Sequence, residues 1–324
     1  MKKHLIAAAV AGALAVPAIA QVSISGRLDA GYSAIDAQDN SKDTTGIGYS
    51  ADTSSRLTFK ASEDLGGGLK AALVLEAGIG GAPKAGDLGQ STSFGSFGRA
   101  QYMTLSGSFG QILIGYANST MKRTLEGFGS ANGTTNVLGI LPNLLDNDDS
   151  RNHQITYSTP KMAGFSVDLE GRASEIDEDD TNSGYGVAAN YAGGPVKVRA
   201  SYDEEAVSAD FDRKRTGAAI AVNLGGVTLH GMYADLEREG ATKTTEEGYE
   251  LGVSTKLGAT ELFASMAKNE VKTGATSVDE DGFNVGARYS LSKRTYAYLI
   301  AGQTDADGAN KKVSQTAIGI VHKF

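Results

Sequence analysis

Early in the chain, Arg27, Arg56, Lys60 and Lys70 fall at polar positions shared with Ser23, Ser25, Thr58 and Glu76, while Asp146, Asp148 and Asp149 cluster near the end of the stretch Asn118 to Ser150. Neither set pairs a nucleophile with a base. Opposed across a water-filled gap, basic and acidic groups create a transverse field that orders water and sorts solutes by charge and dipole. Catalysis needs a different constellation. Beyond residue 20 the histidines are His153, His230 and His322, widely spaced, and the chain has no cysteine to complete a metal set. Asp305-Ala306-Asp307-Gly308 and Asp177-Glu178-Asp179 look like the openings of calcium loops, but Thr316 and Ala188 stand where a bidentate Glu is needed. No Walker-type Gly-Lys-Ser/Thr run is present. The enzymatic alternative left is a wall-mounted Ser-His pair, which only geometry identifies. The expectation is no enzyme, no metal and no cofactor.

The elements that hold these charges begin after the first 20 residues. Lys2 and Lys3, the apolar run Leu5 to Val16, and Ala18-Ile19-Ala20 have the three parts of a secretory signal peptide. Residues 1–20 are therefore read as a signal peptide and 21–324 as a single domain beginning at Gln21. The whole chain carries 30 Lys and Arg against 38 Asp and Glu, a net charge of −8, and losing Lys2 and Lys3 takes this to −10. Such a balance gives no footing for nucleic acid. Without cysteine, an exported chain depends on its backbone ladder and packing rather than on disulfides. No apolar run after residue 20 is long enough for a membrane-spanning helix, a test that leaves spanning strands untouched.

Period-two alternation fills almost everything else. Val22, Ile24, Gly26, Leu28, Ala30 and Tyr32 share one strand face, and Ser23, Ser25, Arg27 and Asp29 the other. Leu57, Phe59 and Ala61 alternate with Arg56, Thr58 and Lys60, and the turn Asp64-Leu65-Gly66-Gly67-Gly68 then leads into Leu69, Ala71, Leu73 and Leu75, a hairpin signal. The pattern predicts roughly sixteen strands, near 22–35, 54–64, 68–79, 99–107, 110–117, 152–160, 164–174, 184–192, 195–204, 213–224, 226–237, 247–257, 260–270, 281–291, 294–303 and 312–324. Short connections such as Gly193-Gly194 and Gly258-Ala259 alternate with long polar ones such as Asp36–Thr53, Gly80–Gly98 and Glu175–Ser183. No segment of helical period competes.

Two architectures fit such a chain. A soluble β-sandwich, or an adhesin built as one, turns bulky apolar faces inward. A transmembrane β-barrel turns its apolar faces to lipid, closes to leave no edge, and puts short turns at one end and long loops at the other. Here the apolar faces are rich in Ala, Gly, Val and Leu, with Tyr and Phe toward strand ends and no Trp. That favours the barrel, because aromatic strand ends suit the membrane interface.

Ser55-Arg56-Leu57-Thr58-Phe59-Lys60, Glu63-Asp64-Leu65-Gly66-Gly67-Gly68-Leu69-Lys70-Ala71 and Leu75-Glu76 resemble the second hairpin of the general diffusion porins of Gram-negative bacteria, in the neisserial and β-proteobacterial trimeric branch. Phe97-Gly98-Arg99-Ala100-Gln101-Tyr102, Tyr157-Ser158-Thr159-Pro160 and the ending Gly319-Ile320-Val321-His322-Lys323-Phe324 resemble later motifs of that family. The resemblance spans the mature chain. Gly115-Tyr116-Ala117 departs from it, since many relatives have a basic residue after the glycine.

The resemblance implies an all-β fold: a 16-stranded antiparallel transmembrane β-barrel with a long third loop folded into the lumen. It implies an outer-membrane channel for passive diffusion of small hydrophilic solutes and ions, assembled as a homotrimer among outer-membrane lipid and lipopolysaccharide. It carries Arg56, Arg99 and Arg151 to the basic wall of the pore constriction, joining Arg27 and Lys60, and makes Phe324 an assembly signal for the barrel-assembly machinery. Asn118–Ser150 becomes the inward loop. Its apolar residues Val137, Leu138, Ile140, Leu141, Leu144 and Leu145 would pack on the wall, with Asp146, Asp148 and Asp149 facing Arg56 and Arg99. A non-conducting adhesive barrel and a substrate-specific channel are the alternatives.

Overall fold

The computed structural model describes residues 21–37, 44–49, 51–79, 97–128, 151–173, 183–208, 211–307 and 312–324. The expected signal peptide, the acids Asp146, Asp148 and Asp149, the apolar run 137–145 and most of the acidic stretch after Ser174 lie outside the described residues.

Alternating sequence becomes ladder. The strands are β1 (Gln21–Ala37), β2 (Thr44–Tyr49), β3 (Arg56–Gly66), β4 (Leu69–Gly78), β5 (Ala100–Gly107), β6 (Gly110–Asn118), β7 (Arg151–Ser158), β8 (Phe165–Arg172) and β9 (Ser183–Gly193). They continue with β10 (Val196–Ser208), β11 (Phe211–Asn223), β12 (Val227–Glu239), β13 (Thr244–Leu257), β14 (Thr260–Thr273), β15 (Thr276–Ser290), β16 (Thr295–Ala306) and β17 (Val313–Lys323). A short helix, α1 (Thr120–Glu126), follows β6.

All pairings are antiparallel, and β17 returns to β1 from Arg27↔Lys323 to Ala37↔Val313, so the sheet closes. Segments β2 and β3 lie end to end along the other edge of β1, with Ala30↔Tyr49 the nearest pair of one and Arg27↔Arg56 that of the other. Together they fill one barrel position. The closed structure is therefore a sixteen-stranded barrel, the number the alternation predicts. Only Leu28 and Asp29 of β1 lie between these two registers, while residues 51–55 turn inward. Sequence reading makes Asp36–Thr53 one polar loop, whereas the structure finds a paired strand and an inward turn inside it.

The two faces sort by polarity in the opposite sense to a soluble protein. Val22, Met266, Phe165 and Leu251 on the outside are 67%, 62%, 60% and 55% exposed, whereas Asp29, Asp203, Arg215 and Glu170 inside are 0%, 0%, 1% and 4% exposed. A β-sandwich would bury the first set and bare the second. Aromatic side chains gather at both ends of the outer face, with Phe165 and Tyr191 in contact near the short turns, ring centroids 4.6 Å apart, and Tyr185 and Tyr202 near the other rim, 6.2 Å apart. The Gly66-Gly67-Gly68 turn has φ of 80°, 62° and 81°, a run that side chains avoid, and the Asp64 carboxylate caps it by accepting from the Gly66 N–H at 2.9 Å.

The alternation of short and long connections holds only through the first half. Strands β10 to β15 run 13 to 15 residues, longer than the roughly 9–11 that cross a bilayer. At the long-loop end, β14 passes to β15 from Thr273 to Thr276. Ion pairs lace these extensions: Lys214 with Glu239 at 3.3 Å, Lys243 with Glu237 at 2.6 Å and Lys268 with Asp279 at 3.3 Å.

Candidate functional site

The register that pairs β1 with β3 sets Arg27 directly opposite Arg56, both on the inner face. One strand further, Glu76 gathers the arc. Its Oε1 accepts from Arg56 Nη1 at 3.1 Å and from Arg99 Nε at 2.9 Å, and its Oε2 accepts from Thr58 Oγ1 at 3.0 Å. Arg27 Nε donates to the Ser54 carbonyl at 3.1 Å. Two guanidinium groups thus share one carboxylate while Arg27 rests on a backbone carbonyl, which leaves the arc positive and partly open, with the side chains of Arg56 and Arg99 26% and 22% exposed. Lys60 follows on the same face, exposed to the lumen. Arg151 heads β7 opposite Asn118.

The structure therefore brings Arg27, Arg56 and Arg99 together. Glu76, which sequence reading notes among the polar residues of this region without a role, is the group that organises them. Its position as the direct cross-strand partner of Thr58 is the signal that would have marked it.

Helix α1 supplies the other side of the lumen. Ser119 caps it, its Oγ accepting from the Lys122 N–H at 3.1 Å. Thr120, Met121, Lys122, Thr124 and Leu125 are all buried, which a seven-residue helix achieves only by being enclosed. It docks on the inner wall of β9 to β11. Thr124 Oγ1 donates to Ser201 Oγ at 2.7 Å and accepts from Arg199 Nε at 3.0 Å, while Thr120 Oγ1 donates to Glu170 Oε2 at 2.7 Å. Met121 and Leu125 pack with Met232 and with the small inward residues Ala219, Ala234 and Ala267, which leave room for the helix, and Phe128 closes the cluster. The start of the stretch Asn118–Ser150 thus lies against the inner wall, as the inward-loop expectation requires.

Behind α1, opposite charges on β8, β10 and β11 pair across the inner wall. Arg199 pairs with Asp168 at 2.8 Å, Arg172 with Glu170 at 2.8 Å and with Asp203 at 3.0 Å, and Arg215 with Asp203 at 2.6 Å and Glu205 at 3.3 Å. Buried charges persist only when paired and hydrogen-bonded. This ladder satisfies that condition and fixes the wall on which α1 sits.

The histidines stay apart. His153 stacks against Tyr116 on β6, His230 is buried 3.9 Å from Glu250, and His322 bonds Thr295 at 2.9 Å. Among the described residues no group of three metal-capable side chains forms. Phe324 exchanges both backbone hydrogen bonds with Gly26, at 3.0 and 3.1 Å, and is 45% exposed on the outer surface.

Comparison with known proteins agrees with this geometry. Residues 7–309 match the family described as Gram-negative porin. The chain is 30% identical to a major outer membrane protein P.IB of Neisseria gonorrhoeae and 29% identical to outer membrane porin protein 32 of Delftia acidovorans, covering all of both chains in each case. Among solved structures, the anion-selective porin from Comamonas acidovorans superposes with a TM-score of 0.83 at 23% identity, over 94% of this chain and 100% of that one.

Proposed function

This chain belongs to the Gram-negative porin family, multi-stranded β-barrels of the outer membrane, and on that premise we propose that it forms a water-filled channel for passive diffusion of small hydrophilic solutes and ions. The observation that carries this reading is the inverted barrel, with apolar side chains outside and a lumen lined by charge. A barrel of sixteen strands is wide enough to hold an aqueous path. A charged lining gives that path discrimination without a binding pocket.

The constriction comprises Arg27, Arg56, Lys60, Arg99 and Arg151 on the wall and Asp146, Asp148 and Asp149 on the loop. Selectivity then follows the local field of the arginine arc after Glu76 has offset part of it, rather than the net charge of the protein. The same reading includes removal of residues 1–20, recognition of Phe324 by the barrel-assembly machinery, and a homotrimer. In support of the last, OmpT of Vibrio cholerae, which shares the fold, is described in a trimer form.

The test is planar-bilayer recording of purified, refolded protein in asymmetric salt. Stepwise conductance with a reversal potential away from zero is the expected result. Silence in the bilayer together with no solute influx into liposomes would replace the channel with a non-conducting, adhesive barrel.

A further inference from the structure

Where β2 gives way to β3 the chain turns off the barrel wall and into the lumen. Ala51, Asp52, Thr53 and Ser55 are 2%, 0%, 1% and 2% exposed, although they are small or polar residues that sequence places at the end of a loop and the start of a strand. Their hydrogen-bonding partners come from three other strands on the inner face. The Asp52 carboxylate receives a fork from Arg288 of β15, Nη2 to Oδ1 at 2.6 Å and Nε to Oδ2 at 3.0 Å, and the Tyr296 hydroxyl of β16 donates to it at 2.8 Å. Asp29 of β1 accepts from the Asp52 and Thr53 N–H groups at 2.7 and 2.8 Å and from the Tyr298 hydroxyl at 2.8 Å. Ala51 packs with Phe263, Tyr298, Ile300, Ala317 and Val321.

The arginine is itself braced. Its guanidinium lies 4.6 Å from the centre of the Phe263 ring, and its Nη1 is 3.4 Å from Glu261. A planar fork held this way matches a carboxylate in a manner a lysine cannot. The segment's other end reaches the basic arc, because the Ser54 carbonyl holds Arg27.

We infer that residues 51–55 are a second internal constriction, separate from α1, latched across the inner wall by Asp52 and Arg288, and that this latch positions Arg27 in the permeation path. Layers of polypeptide pack about 10 Å apart, so a segment lying on the inner face takes a comparable width from the bore. Arg288 is a positioning residue: removing it leaves Asp52 charged, buried and without its counter-ion, a state the segment escapes by leaving the inner face for the water at the pore mouth, which widens the bore. The inference rests on the channel reading above.

Single-channel recording tests it on the full mature chain. Arg288→Met and Asp52→Asn are expected to raise the unitary conductance and move the reversal potential toward zero, with Arg288→Lys in between. Because the chain has no cysteine, Ser54→Cys offers a second readout: a water-soluble methanethiosulfonate should react there and cut the current stepwise in the otherwise unaltered protein. Gel mobility without heating reports whether each barrel is folded, and the Ser54→Cys channel decides the matter if the latch variants fail to fold. Wild-type conductance and reversal potential in folded latch variants, or no effect of the reagent at Cys-substituted position 54, would overturn the inference and leave the channel intact. An unaltered protein that conducts nothing would overturn both.

Discussion

The sulfur of Met121 occupies the space beside Gly217 so closely that a Cβ at that position would come within 2.5 Å of it. This contact seats α1 on the inner wall, and it predicts a graded response. Gly217→Ala meets chiefly the flexible end of a methionine, with the Ser201 hydroxyl 3.2 Å away, and should conduct as the wild type does. Gly217→Ile crowds both Met121 and Ser201, and overpacking of this kind costs about 1–3 kcal/mol. Recordings from the Ile variant should show larger and noisier currents as α1 loosens; steady wild-type steps would show that α1 does not limit the path.

Glu76 sets the charge of the arc. Glu76→Gln leaves Arg56 and Arg99 around a neutral amide and should shift permeability toward anions, whereas Arg56→Ala or Arg99→Ala should shift it toward cations. A unit charge at 4 Å is worth about 1 kcal/mol in water, which bounds each shift at roughly fivefold in the permeability ratio. The shifts should fade in concentrated salt, where the Debye length falls to about 3 Å from about 10 Å at 0.1 M. Reversal potentials measured at both salt levels check sign and decay together.

Phe324 closes the ladder against Gly26, and a Cβ on Gly26 would strike both the Arg56 carbonyl, at 2.5 Å, and the Phe324 ring, at 2.6 Å. Deleting Phe324 should lower the amount of protein inserted in the outer membrane while leaving refolding into detergent micelles intact. Equal losses in both assays would assign the residue to barrel stability instead of recognition.

Tyr298 reaches Asp29 by lying across β17 and β1, over Gly319 and Gly31; a Cβ on Gly31 would stand 2.5 Å from its hydroxyl. Tyr298→Phe withdraws one donor from a buried carboxylate and should cost about 1–3 kcal/mol. Gly31→Val should cost more, since it displaces the ring and with it the inward segment. Urea titration of the refolded barrel in vesicles would rank the two.

Sixteen barrel positions and the hairpin at Gly66–Gly68 were legible because lipid on one side and water on the other enforce strict alternation, which also sets Arg27, Arg56 and Lys60 on polar faces, whereas Arg99 is reached only through the family resemblance. Three features were not legible, each for a physical reason. The ends of β10 to β15 stand where both faces are polar, as at Lys214 and Glu239, so the ladder continues while the hydrophobic signal stops. Helix α1 hides because the wall it meets is part apolar and part polar: Thr120 and Thr124 are buried as thoroughly as Met121, which erases the amphipathic period. The inward turn at Ala51–Ser55 reads in sequence as a polar loop ending at Thr53 and a strand starting near 54, because its burial is secured by hydrogen bonds to Asp29 and Arg288, partners remote in sequence. The acids Asp146, Asp148 and Asp149 lie outside the described residues, and their place opposite the arc stays part of the proposal.

The seam between β1 and β17 joins Arg27 to Lys323 and Ala37 to Val313. Almost the whole chain separates the two halves of that seam, so the barrel cannot close while its C-terminus is still being made. Until then β1 and the newest strand are both open edges, able to pair with any other extended chain. A topology whose decisive contacts are this distant folds slowly. The time a nascent copy spends unclosed is therefore written into the connectivity itself, and every strand edge left open during that interval is a site for pairing with another copy.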